Sequence, residues 1–267
     1  MQITHPQAPQ NGLPAEDMFI VSDDMGTQAG VGYLIYQDLR SRSPECPVNI
    51  YFDINSLPSG WYLLLGALVA RARILRDQAG PDVPARLYTR VDPTDLTAIE
   101  QYRGSGFAVD QQETLVQLQR PEGDGRLFMS CQVQPVPLNT QQEMYAFTER
   151  LRLNDITHIQ PAYLAQLQRL PHFQALALAQ NGTLVGEAVM AGTGSTCELM
   201  AVYTAPAYRR QGMAAALVHR MMAVMEAEGV TAFAASINSM SEPQKALAQH
   251  FQGRQQQVIS IFPYMLL

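Results

Sequence analysis

The sequence predicts an α/β (α+β) protein of two halves, each with a mixed central sheet flanked by helices. The first observation is a strand, a basic turn with a glycine and a helix in direct succession over residues 197–222, CELMAVYTAPAYRRQGMAAALVHRMM. The second is that runs rich in β-branched and aromatic residues alternate with helical patterns along the chain. The third is the turn-rich stretch PEGDG at 121–125, which predicts a linker between residues 1–120 and 126–267.

Strands and helices alternate through the first half, after a flexible arm that ends before Pro14. The run VNIYFDI at 48–54 alternates in polarity and consists mostly of residues that favour strands. The stretch DPTD at 92–95 can cap a helix. We expect strands at 18–21, 31–35, 48–54, 85–91 and 114–118, and helices at 61–77 and from 95 through 102.

The second half has clearer start and stop signals. Thr140 can cap a helix, Pro161 suits the first turn of another, and Gly229 is a C-cap. An Asn-Gly pair at 181–182 predicts a hairpin turn. We expect strands at 126–133, 174–179, 184–191, 198–202, 231–238 and 258–262, and helices from 140, 161 and 213 and at 243–251.

The turn before the 213 helix has the features of an anion site. The first turn of a helix leaves backbone N–H groups unpaired, and the helix dipole adds partial positive charge there. Gly212 lets a ligand approach the backbone closely, and Arg209 and Arg210 add full charges. A phosphate or pyrophosphate is the natural occupant. The alternative is an ordinary connection with solvated arginines.

The full pattern Arg209-x-x-Gly212-x-Ala214, after a strand bearing Glu198 and Val202, resembles the acyl-CoA-binding signature of the GNAT N-acetyltransferase superfamily. The family motif is R/Q-x-x-G-x-G/A, between the fourth strand and third helix of its fold. A dinucleotide-binding loop or a P-loop has a different glycine pattern. The resemblance implies a GNAT fold over about residues 126–267 and acetyl-CoA (CoA) as cofactor.

The resemblance also assigns cofactor-binding residues. In the family the turn binds the pyrophosphate, and the motif strand splays from its neighbour, so that its backbone contacts the pantetheine arm and the thioester carbonyl. An Asn after the next strand often binds the same arm. The residues at these positions are Met200, Ala201, Val202, Arg209, Arg210, Gln211, Gly212, Met213, Ala214 and Asn238.

Two residues are candidates for catalysis. Glu198 is at the position where several family members have a general base, although a structural glutamate is the alternative. Alignment of ALAQH in the second half with AIEQY in the first puts His250 where Tyr102 lies, the position of a tyrosine acid in many family members. Tyr264 is another candidate acid. An acyl-enzyme on Cys197 is a further alternative, but neighbouring strand residues point to opposite faces, so Cys197 and Glu198 cannot both line one site.

The first half resembles the family more weakly. AIEQYRGSGF at 98–107 is similar to its last helix and the Gly-Phe that follows, but the turn at 55–60 lacks the Arg or Gln of the motif. We interpret residues 1–120 as a degenerate, partial GNAT repeat that shapes or covers the acceptor site. The alternative is an unrelated α/β subdomain.

Composition excludes several classes of partner. The net charge of −6 argues against nucleic acid, and the longest apolar run, WYLLLGALVA, is too short to span a membrane. The N-terminus is polar, and the three cysteines have no metal-ligand spacing, so we expect no metal and a cytoplasmic protein. A homodimer stays possible.

The prediction from sequence is therefore an acetyl-CoA-dependent N-acetyltransferase that acts on a primary amine of a small molecule or peptide. One alternative is a non-catalytic acyl-CoA-binding or regulatory protein on the same fold. Another is an aminoacyl or other acyl transferase on a doubled GNAT scaffold.

Overall fold

The computed structural model describes residues 1–10, 12–39, 47–80, 82–123, 130–154 and 156–267. Internal contacts divide the chain into two compact units, which are Met1–Gln112 with Ile259–Leu267, and Glu113–Val258. Each unit has one mixed sheet with helices packed against it. The predicted fold class, mixed sheets flanked by helices in two halves, is confirmed.

The strands and helices follow the predicted alternation. The strands are β1 (Gln2–Thr4), β2 (Met18–Ser22), β3 (Gln28–Asp38), β4 (Val48–Ser56), β5 (Ala85–Tyr88), β6 (Gln112–Leu118), β7 (Cys131–Pro135), β8 (His172–Gln180), β9 (Thr183–Thr193), β10 (Thr196–Thr204), β11 (Ala232–Asn238), β12 (Arg254–Ile261) and β13 (Tyr264–Leu266). The helices are α1 (Pro58–Ala79), α2 (Leu96–Gly104), α3 (Gln141–Leu153), α4 (Pro161–Leu167), α5 (Met213–Ala227) and α6 (Glu242–His250).

The sheet of the first unit has the order β1-β2-β3-β4-β5-β13, with β4 and β5 parallel. Helix α1 covers one face because Leu64, Leu65 and Leu68 recur at helical spacing and are buried. They pack with Ile50 and Phe52 of β4. The predicted flexible arm differs from the structure, since β1 forms the sheet edge and pairs with β2.

The sheet of the second unit has the order β12-β6-β11-β10-β9-β8-β7, with β10 and β11 parallel. Helix α5 packs on one face through buried side chains such as Leu217 and Met221. Helices α3 and α4 pack on the other through Phe147, Leu151 and Leu164. This is the element order of two helices, a hairpin, motif strand and motif helix that the sequence predicted.

The unit boundaries differ from the predicted domain boundaries because two strands are exchanged. We assigned 114–118 to the first half, but β6 pairs antiparallel with β11 in the second sheet. We assigned the C-terminus to the second half, but β13 pairs antiparallel with β5 in the first sheet. Residues 124 and 125 of the predicted linker, and 126–129 of the predicted strand that follows it, lie outside the described residues.

Candidate functional site

The site is built on β10, which parts from its parallel neighbour halfway along. Pairing with β11 extends only to Leu199 opposite Ala235, whereas antiparallel pairing with β9 continues to Thr204. Between Leu199 and Ala201 the register with β9 shifts, which leaves Met200 as a β-bulge. Backbone groups of β10 beyond Leu199 that would bond to a parallel strand therefore face a gap.

The bulge also changes the face on which side chains lie. Leu199 belongs to the core under α5, whereas Ala201 and Tyr203 belong to the core under α3 and α4. A regular strand would put all three on one face, because side chains alternate with a period of two. The extra residue, Met200, accounts for the change.

The connection 205–212 contains two residues in the left-handed region. Arg210 has φ 60° and Gly212 has φ 76°. No atom lies within 4 Å of the position that a Cβ on Gly212 would take. A ligand can therefore reach the main chain at Gly212, and glycine takes this conformation without strain.

Helix α5 begins with unused donors. Gly212 is the N-cap, and its carbonyl accepts a hydrogen bond from the N–H of Ala216 at 2.9 Å. The N–H groups of Met213, Ala214 and Ala215 precede that bond and have no partner inside the helix. Together with the helix dipole, they form a site for an anion.

Polar side chains surround these amides. Arg209, Arg210 and Gln211 are exposed. Arg209 Nε donates to the carbonyl of Thr204, and Gln211 Nε2 donates to the carbonyl of Ala207, each at 3.2 Å. In the described ranges of the chain, neither arginine is paired with a carboxylate. Their charge is available to a phosphate.

Glu198 lies one residue before β10 and β11 part. It is half-buried, and its Oε1 accepts a hydrogen bond from Ser236 Oγ at 2.8 Å. In register Glu198 lies opposite Ala234, and Ser236 follows two residues along β11 on the same face. This hydrogen bond orients the carboxylate, and Oε2 can still accept a proton.

Sequence reasoning missed an ion pair with a buried carboxylate on the same sheet. Glu187 of β9 is 1% exposed and accepts from Arg150 Nε at 2.9 Å and Nη2 at 2.7 Å. The Tyr203 hydroxyl donates to Glu187 Oε2 at 2.5 Å. Burial and this carboxylate raise the pKa of Tyr203, so its hydroxyl stays protonated. The signal was a glutamate inside the apolar run VGEAVMA, since an unpaired buried carboxylate is costly.

Residues 141–253 match the model of the acetyltransferase (GNAT) family. The matched span begins at α3, ends after α6 and includes β10, the 205–212 connection and α5. The matched span, termed the GNAT domain, is less than half of the chain. Members of the family are acetyltransferases.

Solved structures resemble nearly the whole chain. The GCN5-related N-acetyltransferase from Sphaerobacter thermophilus is 13% identical, with 96% of this chain and 82% of that chain covered and a TM-score of 0.51. A protein of unknown function from Enterococcus faecalis, described as a probable N-acyltransferase, is 10% identical, with 92% and 61% covered and a TM-score of 0.54. At these identities the likeness shows the fold alone. No curated protein matches the chain.

Asn238 ends β11 in the GNAT domain. Its Oδ1 accepts from the N–H of Met240 at 2.9 Å, and its own N–H donates to Gln244 Oε1 at 2.7 Å. These bonds fix the turn into α6 and leave the side-chain Nδ2 as a donor. That is the donor that the predicted contact with the pantetheine arm requires.

The alignment of His250 with Tyr102 needs correction. In the first unit, the N–H of Phe107 donates to the carbonyl of Tyr102 after the left-handed Gly106 (φ 88°). In the GNAT domain, Gly253 donates to Ala248 after Gln252 (φ 49°). The same helix-ending motif therefore places Ala248, not His250, at the position of Tyr102. His250 is exposed two residues further on, against the Phe251 ring.

Two further residues were named as alternatives, a nucleophile at Cys197 and an acid at Tyr264. Cys197 is buried on the α5 side with Sγ 4.0 Å from Met225 Sδ, and burial raises the pKa of its thiol to about 11. A protonated, buried thiol is a poor nucleophile. Tyr264 pairs with Tyr88 in the first unit, outside the GNAT domain. In the part of the chain that the structure describes, no cluster of His, Cys, Asp and Glu could hold a metal ion, and no helix is long and apolar enough to cross a membrane.

Proposed function

We propose that this protein is an acetyl-CoA-dependent N-acetyltransferase that moves an acetyl group directly to a primary amine of a small molecule or peptide. The observation that carries the proposal is the 205–212 connection, where unpaired helix amides, an accessible Gly212 and two exposed arginines follow a splayed strand. These groups fit the charge of a pyrophosphate. The thioester of acetyl-CoA would supply the activated acetyl group.

Binding would use main-chain groups more than side chains. The amides of Met213 and Ala214, with Arg209, Arg210 and Gln211 around them, would hold the pyrophosphate. Backbone groups of Met200, Ala201 and Val202 would contact the pantetheine arm and the thioester carbonyl across the gap. Asn238 would donate to the same arm. Fixing both reactants in this way supplies much of the rate of such a transfer.

Glu198 would accept the proton of the amine. A primary amine is largely protonated near neutral pH and must lose a proton before its lone pair can form the new N–C bond. The Ser236 hydroxyl holds one oxygen of the carboxylate, which leaves the other for the amine or for a bridging water. This role is supported by the position of Glu198 next to the gap.

The test is release of free CoA thiol from acetyl-CoA in the presence of four amines: a diamine, an aromatic amine, an amino sugar and a peptide with a free N-terminus. Wild-type protein should release thiol with at least one of them. Glu198→Gln should slow this release about 100-fold, the size of a general-base effect, and bind acetyl-CoA as well as the wild type. Absence of acetyl-CoA binding by the wild type would contradict the proposal.

A second candidate function has one observation in its favour. The position that holds a tyrosine acid in many family members is occupied by Ala248, which cannot donate a proton. A non-catalytic acyl-CoA-binding or regulatory protein would need no acid. It would bind acetyl-CoA but release no thiol with any amine, and Glu198→Gln would change nothing.

A further inference from the structure

His158 contacts the strand bulge from the connection between α3 and α4. Its Nε2 lies 3.0 Å from the carbonyl oxygen of Met200. A backbone carbonyl only accepts hydrogen bonds, so Nε2 carries the hydrogen in this contact. The ring is therefore a donor to the one residue of β10 that belongs to neither strand register.

The connection around His158 is anchored on both sides. Ile159 is 1% exposed in the core under α3 and α4. The N–H of Ile156 donates to the carbonyl of Leu151 at 3.0 Å, and Gln160 Nε2 donates to the carbonyl of Thr157 at 2.7 Å. The imidazole itself is exposed. Burial of the ring therefore does not explain its position, whereas the bond to the bulge does.

A bond to the Met200 carbonyl also acts on the next residue. The carbonyl of Met200 and the N–H of Ala201 belong to one planar, trans peptide group, so they point in opposite directions. Fixing the carbonyl fixes the direction of that N–H. A hydrogen bond accepted by the carbonyl also polarises the peptide group and strengthens its N–H as a donor.

We propose that His158 is a positioning residue that holds the Met200 bulge in the shape that binds the acyl carbonyl. This inference rests on the proposed function, because it assigns the Ala201 N–H to the thioester carbonyl. It adds a residue outside the acyl-CoA motif, in the connection between α3 and α4. The interaction concerns the acyl carbonyl and not the pyrophosphate, which the 205–212 connection would hold.

The experiment compares the dissociation constants of acetyl-CoA and CoA by calorimetry. CoA lacks the acyl carbonyl, so the ratio of the two constants isolates the bulge from the pyrophosphate site. The wild type should prefer acetyl-CoA, and His158→Ala should reduce that preference about three- to tenfold, the worth of one hydrogen bond. His158→Gln keeps an N–H donor of similar reach and should keep the preference.

Arg209→Ala is the matched control, because it should weaken the binding of acetyl-CoA and CoA equally. The ratio of their dissociation constants should therefore stay unchanged. An unchanged ratio in His158→Ala, or a wild type that binds acetyl-CoA and CoA equally, would overturn the role of His158 and leave the cofactor site intact. A wild type that binds neither ligand would instead overturn the proposed function itself.

Discussion

The two units differ most at the connection that follows the central parallel strand. In the first unit, Leu57 alone joins β4 to α1. Its N–H donates to the carbonyl of Ala29 at 2.8 Å, and the first helical residue, Pro58, has no N–H. Gly60 donates to the carbonyl of Leu57. In the second unit, residues 205–212 lead into a helix whose first amides are unused.

The strands before these connections also differ, since one is regular and the other has a bulge. β4 pairs with β3 without a register shift from Val48 to Ser56, whereas β10 has its bulge at Met200. Both part from their parallel neighbours, but in the first unit the hydroxyls of Tyr51 and Tyr102 hydrogen-bond with Thr89, which follows β5. Both units therefore have a splayed strand, whereas only the second connection offers groups that fit an anion.

The largest expected effect tests whether Tyr102 is a core residue. Its ring packs 5.2 Å from that of Trp61, and burial raises its pKa to about 12. Tyr102→Ala should lower the free energy of unfolding by about 3–5 kcal/mol, and Tyr102→Phe by about 1 kcal/mol through the lost bond to Thr89. Fluorescence of Trp61, the one tryptophan of the chain, reports unfolding of this unit.

Acetyl-CoA affinity should stay within about twofold in both Tyr102 variants, because a hydroxyl that makes no ligand contact leaves binding free energy unchanged. A variant Tyr102→Phe that is stable but no longer turns over acetyl-CoA would show that the first unit takes part in the chemistry, and the contrast between the units would fail.

The second-largest effect is expected from Gly212→Val. A β-branched residue at φ 76° strains the backbone, and its side chain fills the open space at the helix amides. Loss of two charge-assisted hydrogen bonds should weaken acetyl-CoA binding at least about 100-fold. Calorimetric titration measures this change in the dissociation constant of acetyl-CoA.

Gly26→Val is the matched control for Gly212→Val. Gly26 has φ 81° and equally open surroundings, but it lies in the β2–β3 turn of the first unit. Both variants should lose similar stability, about 1–2 kcal/mol for a left-handed residue with a side chain. Equal acetyl-CoA affinities in the two variants would disprove the assignment of the anion site.

A smaller effect is expected from Arg209→Ala. Loss of one exposed guanidinium should weaken CoA binding about tenfold. It should also make the CoA affinity fall less steeply with salt concentration, because salt screens the charge that is removed. Arg73→Ala on the exposed side of α1 is the control, and it should leave the CoA affinity and its salt dependence unchanged. A salt dependence that is the same in Arg209→Ala and wild type would argue that the ligand does not reach this side chain.

The smallest effect is expected from His250→Ala. The side chain is exposed and lies two residues beyond the position equivalent to Tyr102. Thiol release from acetyl-CoA should change less than about twofold, because a solvated surface group contributes little. A loss of activity of about tenfold or more would restore His250 as the acid, despite its offset.

Local features could be predicted from the sequence. The turn, its accessible Gly212 and helix α5 are encoded within one short stretch, so their physical chemistry is visible there. The His250 misalignment has a local cause as well. Gly106 marks the end of α2, but Gln252 takes the same left-handed conformation without a glycine signal.

Features that depend on distant pairing could not be predicted. Nothing local in the sequences of β6 and β13 says which strand each one pairs with. The contact of His158 with Met200 joins residues that are 42 positions apart, and a histidine in a loop carries no pattern. The Arg150–Glu187 pair could not be predicted either, because its residues are 37 positions apart.

Hydrogen–deuterium exchange with and without saturating acetyl-CoA tests the central claim most directly, because it reads the backbone amides of both connections in one experiment. Acetyl-CoA should slow exchange in peptides that cover 198–216 and leave those that cover 52–62 unchanged. Slowed exchange over 52–62, or no change in either segment, would contradict the claim that the second connection alone is built to bind the cofactor.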